Sequence, residues 1–121
     1  MGKRKLVLVV DDEPGIVNFL CIKLRSAGFD VITTTSGAEA IDLVRNQEPD
    51  IILLDVLMPD VNGMDVLNRV RTFSEVPIIV FTGYSEVARL ALKLGANDYI
   101  DKPFNPDFLV QKIGSIINTG T

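Results

Sequence analysis

Four segments of this 121-residue chain concentrate side chains that could do chemistry. Asp11-Asp12-Glu13 follows one aliphatic run and Asp55 follows another. Thr82-Gly83 ends a third, and Lys102-Pro103 stands just beyond Tyr99-Ile100. Brought within a few ångströms, Asp11, Asp12 and Asp55 would repel one another, and one would take up a proton unless a cation intervened. A ligand set made only of oxygen points to a hard divalent ion, Mg²⁺ first. Three aspartates balanced by Lys102 and a divalent ion leave a neutral site that can accept a phosphoryl group. An ionised aspartate there can attack phosphorus and form an acyl phosphate. The metal and Lys102 would offset charge on the transferring oxygens, and Thr82 with the Gly83 amide would supply hydrogen bonds.

The composition removes the usual competitors. The chain has no histidine and one cysteine. A Ser-His-Asp or Cys-His nucleophile, an imidazole proton shuttle and an HExxH zinc site are therefore excluded. Cys21 can form no internal disulfide and reads as a core residue of its helix. Twelve basic against sixteen acidic residues give a net charge of −4, the wrong balance for direct nucleic-acid binding. The longest apolar run, Leu6–Val10, is far shorter than the roughly 18 residues of a membrane span and follows Lys3-Arg4-Lys5 too briefly for a secretory signal. A soluble, cytoplasmic chain with no membrane partner is expected, folded as a single domain over residues 1–121.

The elements that must position these groups alternate along the chain. Leu6–Val10, Asp30–Thr34, Ile51–Leu54, Ile78–Phe81 and Tyr99–Ile100 read as strands. Unbroken apolar runs suit parallel strands covered on both faces, and the more polar second run suits an edge. Between them lie helical patterns. Pro14–Ala27 carries Ile16, Val17, Leu20, Cys21 and Leu24 and stops at Gly28. Ser36-Gly-Ala-Glu39 has capping-box spacing ahead of Ala40, Leu43 and Val44. Met64, Leu67, Val70 and Phe73 form a third stripe, and Val87, Leu90, Ala91 and Leu94 a fourth. Asn105-Pro106 reads as N-cap and first turn of a fifth, with Leu109, Ile113, Ile116 and Ile117. The pattern is (βα)5. Right-handed crossovers make it a doubly wound sheet whose functional crevice lies at the carboxyl ends of the strands. All four segments fall there. Singly, each has a plainer reading: acidic residues favour helix N-termini, Asp55 forms a turn, and Lys102 is a solvated lysine. Their joint placement, with complementary charge, favours a site.

The segments VVDDEP, DIILLDVLMPDVNGMDVL, VFTGYS and GANDYIDKPF, with their spacing, resemble the receiver domain of two-component response regulators from about Lys5 to Asn118. The resemblance implies an α/β, flavodoxin-like fold with a five-stranded parallel sheet in the order 2-1-3-4-5. It implies that Asp55 is the phosphoacceptor and that a histidine kinase or histidine phosphotransfer domain is the donor. Asp12 would bind Mg²⁺ directly and Asp11 mainly through water, with Asp55 and the backbone carbonyl of Leu57 completing the set. Thr82 and Lys102 would bind phosphoryl oxygens, and Tyr99 would be the switch aromatic. The Lys102–Pro103 peptide would be cis, and Pro59 and Gly63 would shape the rim. Tyr99 also admits a plainer reading, with its hydroxyl always outside.

Further expectations follow from that resemblance. The face of helix four, strand five and helix five would change on phosphorylation and address a downstream effector domain or protein, or form a phosphorylation-dependent homodimer. Gly15, Ile16 and Phe19 on the first helix, with Pro106 nearby, are the candidates for donor docking; Phe19 is the one expected to be exposed. Leu57 and Tyr84 would shield the acyl phosphate from water. Phe108 stands where receivers that dimerise for DNA binding usually carry an acid, leaving an apolar contact through Phe108 or Leu92. The competing readings are a small Mg²⁺-dependent aspartyl-phosphate phosphatase, a nucleotide binder and an interaction module that is never phosphorylated. The phosphatase would show steady phosphomonoester turnover. The nucleotide binder would need a glycine-rich loop where Asp11-Asp12-Glu13 stands.

Overall fold

Five strands are rich in β-branched and aliphatic residues, and each ends where a polar or turn residue interrupts the run. In the computed structural model, which describes residues 4–56 and 63–119, they are β1 (Leu6–Val10), β2 (Asp30–Thr34), β3 (Ile51–Asp55), β4 (Ile78–Thr82) and β5 (Asp98–Asp101). The helices between and after them are α1 (Pro14–Ser26), α2 (Gly37–Gln47), α3 (Gly63–Arg71), α4 (Ser85–Lys93) and α5 (Pro106–Thr119). The strands form one parallel sheet in the order β2-β1-β3-β4-β5. This is the expected doubly wound order, and its strands align with the carboxyl ends together.

The strand pleat sorts the core into two layers, because successive side chains point to opposite faces. Leu8, Val10, Ile52, Leu54, Ile78 and Val80 pack with Ala40 and Val44 of α2, Leu67 and Val70 of α3 and Ala91 of α4. Val7, Val9, Ile51, Leu53, Ile79, Phe81 and Ile100 pack with Leu20 and Leu24 of α1 and Leu109 and Ile113 of α5. β1, β3 and β4 are covered on both sides, which is why their runs are unbroken. β2 is an edge strand, with Asp30 exposed.

The helix ends follow local chemistry. Pro14 opens α1, and Gly28, at φ +99°, turns the chain away after it. Ser36 Oγ accepts from the Glu39 amide at 3.2 Å, as the capping-box spacing predicts. Asn105 Oδ1 accepts from the amides of Asp107 (2.8 Å) and Phe108 (3.4 Å) and caps α5.

Two stripes differ from expectation. Phe73 is 39% exposed and lies past the end of α3, its ring 4.5 Å below the Arg45 guanidinium carbon. The buried face of α3 is Met64, Val66, Leu67 and Val70. On α4 the fully buried residues are Ala88 and Ala91, while Leu90 is 49% exposed. Leucine at Leu90 matched the helical period, but the small alanines one step round let α4 lie close to the sheet. β5 runs one residue further at each end than the Tyr99-Ile100 pair. Cys21 is half-buried against the α1/α5 layer.

Gly63 starts α3 directly against the end of β3. A Cβ there would fall onto Val56 Cα and within 2.5 Å of the Asp55 carbonyl oxygen, and the Gly63 amide donates to Val56 O at 3.1 Å. Gly63→Ala must push α3 off backbone that cannot yield as a side-chain tip can. A loss of about 1–3 kcal/mol is expected, read as a lower urea midpoint at unchanged slope.

Candidate functional site

Each group reaches the crevice by continuing its strand. Asp55 is the last residue of β3, in register beside Phe81 of β4. Thr82 ends β4, beside Asp101 of β5. Asp11 follows β1, its amide held by Thr34 O at 3.2 Å, and Lys102 follows β5, its amide held by Thr82 O at 3.0 Å. The pleat then divides them. Asp55 shares the parity of Ile51 and Leu53, which face α1 and α5, and Thr82 that of Ile78 and Val80, which face α2, α3 and α4.

Asp11, Asp12 and Asp55 each offer a carboxylate oxygen, and these atoms lie within 4.8 Å of one another. Asp11 and Asp55 are buried, while Asp12 is partly exposed. The Lys102 ammonium sits between the two buried carboxylates, 3.2 Å from Asp55 Oδ2 and 3.6 Å from Asp11 Oδ2. Asp11 Oδ1 accepts from the Glu13 amide at 2.9 Å. Asp11 Oδ2 is buried with no hydrogen-bond donor among the described residues. Burial pushes the Asp11 carboxyl up to about 6 from its usual 3.8. The Glu13 amide and the Lys102 charge pull the other way, and the charges of Asp55 and Asp12 add to the rise. A buried carboxylate oxygen short of a donor, beside two more carboxylates, suits a hard divalent cation. The donor set fits Mg²⁺.

Thr82 is buried, and its hydroxyl oxygen accepts from the Tyr84 amide at 3.2 Å. Asp12, Glu13, Asp55, Thr82, Gly83, Tyr84 and Lys102 line one crevice of about 490 Å³. The Lys102–Pro103 peptide is cis. The structure thus brings together Asp11, Asp12, Asp55, Thr82, Gly83 and Lys102. Tyr99 stands apart on β5, 36% exposed and off the crevice lining. Leu57 and Pro59 lie outside the described residues.

An aromatic support went unnoticed in the sequence. Lys102 Nζ lies 5.0 Å from the centroid of the Phe81 ring, and Phe104 meets Phe81 edge-on, with centroids 5.9 Å apart. The Phe81 ring face attracts the ammonium. The residues stand in the VFTGYS and KPF segments, but only the strand register shows that they meet.

The sequence model described as the response regulator receiver domain matches residues 7–114. The DNA-binding response regulator MtrA of Mycolicibacterium smegmatis is 41% identical over 112 residues, covering 91% of this chain and 49% of that protein. The chain therefore spans about half the length of the curated relatives it matches. The receiver domain of Francisella response regulator 1452 superposes with a TM-score of 0.91 at 29% identity, covering 98% of this chain and all of that one. The BeF3-activated N-terminal receiver domain of Klebsiella pneumoniae RstA superposes with a TM-score of 0.88 at 26% identity, covering 93% and 98%.

The raised Asp11 pKa fixes a pH dependence. Between about pH 4 and 6 the native carboxyl holds a proton that the unfolded one has released, so stability falls as pH rises through that window and levels off above it. In chelator, Asp11→Asn is expected to be more stable than the parent at pH 7 by about 1–3 kcal/mol. The gain should vanish below about pH 4, measured by urea unfolding across the range.

Proposed function

The chain belongs to the response regulator receiver domain family, and from that premise we propose that Asp55 is its phosphoacceptor. It is a receiver domain of two-component response regulators, a signalling domain. The observation that carries the assignment is the Lys102 ammonium bridging buried Asp11 and Asp55 at the carboxyl ends of the central strands. The Lys102 ammonium, 3.2 Å from Asp55 Oδ2, holds that carboxylate in place as the nucleophile. One carboxylate oxygen attacks the phosphorus of a partner's phosphohistidine, the P–N bond breaks, and the imidazole leaves with the electron pair. Lys102, the Thr82 hydroxyl and the Gly83 amide, which line the crevice with Asp55, would receive the phosphoryl oxygens. Asp12 and Asp55 would hold Mg²⁺ directly and Asp11 mainly through water, with the backbone carbonyl of Leu57, outside the described residues, completing the set. When bound, the ion supplies positive charge against the transferring oxygens.

The donor is a histidine kinase or a histidine phosphotransfer domain. Its docking surface is the apolar groove of about 410 Å³ between Ile16 and Phe19 of α1 and the Pro103-Phe104 turn. Phe19 is 51% exposed on its rim. The groove opens beside Lys102, so a helix seated there brings its own histidine to Asp55. The output passes to an effector domain or protein, or a second copy, through the α4–β5–α5 face, with Thr82 and Tyr99 as switch residues. Phe108 is 52% exposed on that face. DNA binding belongs to the named full-length relatives; this domain, at net charge −4, contacts no nucleic acid itself. No helix among the described residues is long and apolar enough to cross a membrane, and a cytoplasmic location suits a phosphohistidine donor. The domain turns over no small substrate.

Incubation with a small phosphodonor and Mg²⁺ should add one phosphoryl group, seen by intact-protein mass spectrometry. Asp55→Asn should abolish the adduct, and an adduct that persists in the variant overturns the assignment. Steady release of phosphate from a phosphomonoester would instead favour a phosphatase.

Mg²⁺ at one hundred times its dissociation constant should stabilise the domain by about 2.7 kcal/mol. Asp12→Asn should lose most of that gain. Unchanged Mg²⁺ stabilisation in the variant would remove Asp12 from the ligand set.

A further inference from the structure

The two ends of α4 are held very differently. At the crevice end the helix has no side-chain cap. The hydrogen bond from the Tyr84 amide to Thr82 Oγ1 ties its start to the site, and this acceptor is the hydroxyl proposed above for phosphoryl binding. Along the helix the fully buried residues are Ala88 and Ala91, with Val87 and Leu94 partly buried against the same layer.

The far end is fastened by Arg71, the last residue of α3. Its guanidinium donates from Nε to Gly95 O at 3.0 Å, from Nη1 to Ser74 O at 3.1 Å and from Nη2 to Asn97 Oδ1 at 3.0 Å. Asn97 Oδ1 also accepts from the Ile78 amide at 2.9 Å, and the Asn97 amide donates to Ile78 O at 2.8 Å. One side chain therefore joins the end of α3, the α4–β5 turn and the start of β4. Gly95, at φ +114°, lies so close under this side chain that a Cβ would come within 3.2 Å of Arg71 Nε. The turn closes with the Ala96 amide donating to Ala91 O at 2.9 Å. All three Arg71 acceptors are neutral oxygens. Such bonds fix direction, because a planar fork must meet all of them at once.

We propose that Arg71 is a positioning residue that pins the carboxyl end of α4, so that the helix responds to the crevice as a lever held at one end. This rests on the phosphoacceptor reading for its trigger, but the pin exists without phosphate. When Thr82 turns its hydroxyl to a phosphoryl oxygen, the bond to the Tyr84 amide is the one disturbed. The amino end of α4 then moves while the Leu94–Asn97 turn stays in place.

Hydrogen exchange of the unphosphorylated protein tests the pin. In Arg71→Ala the amides of Leu94, Gly95 and Ala96 should exchange at least tenfold faster, with β1 and β3 unchanged. Arg71→Lys, which keeps the charge but cannot reach three acceptors together, should give a smaller increase at the same amides. Wild-type rates at those amides in folded Arg71→Ala would overturn the proposal. If Arg71→Ala loses protection throughout, Arg71→Lys decides: loosening confined to the turn supports the pin, and uniform or absent loosening overturns it.

Beryllofluoride with Mg²⁺, as a phosphoryl mimic, tests the lever. In the parent chain the exchange rates should change at Tyr84–Ala88 and hold at Leu94–Asn97; in the variant the change should reach both ends. An equal response at both ends of the parent helix overturns the lever. If Asp55 takes up no phosphoryl group, the function proposed above fails while the unphosphorylated exchange still reports on Arg71.

Discussion

Two buried carboxylates share one lysine at the edge of an apolar sheet, and the rest of the domain is arranged around that constraint. Asp11 and Asp55 repel each other and have lost most of their water. Lys102 offsets part of this, at 3.6 and 3.2 Å. One ammonium cannot neutralise two carboxylates as well as the nearby Asp12, so the site keeps a negative surplus. At Asp11 burial raises the pKa to about 6, and among the described residues Oδ2 has no hydrogen-bond donor, with only the Lys102 ammonium facing it at 3.6 Å. The surplus gives a divalent ion somewhere to bind. It is also a cost that the two-layered core must carry, since Asp11 lies only one residue past the buried end of β1.

The pleat decides which helices feel each part of the site. Asp55 stands on the α1/α5 side of its strand, and Lys102 lies over Phe81, which belongs to that layer. Thr82 stands on the side of α2, α3 and α4, and its hydroxyl meets the start of α4. The crevice is therefore a seam between the two layers. A group bound by Lys102 and Thr82 together would draw on both.

Much of this was legible in the sequence because buried parallel strands leave a plain signature. Unbroken aliphatic runs at β1, β3 and β4 marked strands covered on both sides, and the residues after those runs named the site. Capping chemistry placed the starts of α1, α2 and α5. Period alone failed where residue size mattered: α4 buries Ala88 and Ala91 and leaves Leu90 outside, since closeness to the sheet outweighs side-chain volume there. Phe73 continued a spacing of three past the end of its helix and found Arg45 instead of the core. The support of Lys102 by Phe81 was hidden for another reason. The two residues are distant in sequence, and only strand register makes them neighbours.

The seam also separates the two surfaces on which a partner would act. The α1 groove ends on Pro103-Phe104, and Phe104 packs edge-on against the ring beneath Lys102. A partner in that groove lies against the same layer as the nucleophile, so docking and transfer share one rigid frame. The other surface begins at Thr82 and runs along α4, which fully buries only two alanines, keeps Val87 partly buried beside them and has a clamped far end. Shallow packing makes a helix cheap to shift, whereas the α1/α5 layer, built on Leu20, Leu24, Leu109 and Ile113, resists movement. On the phosphoacceptor reading this difference assigns the direction of the signal. The stiff layer receives the donor and the loosely held helix carries the response, because a perturbation at the seam moves the side that costs less to move.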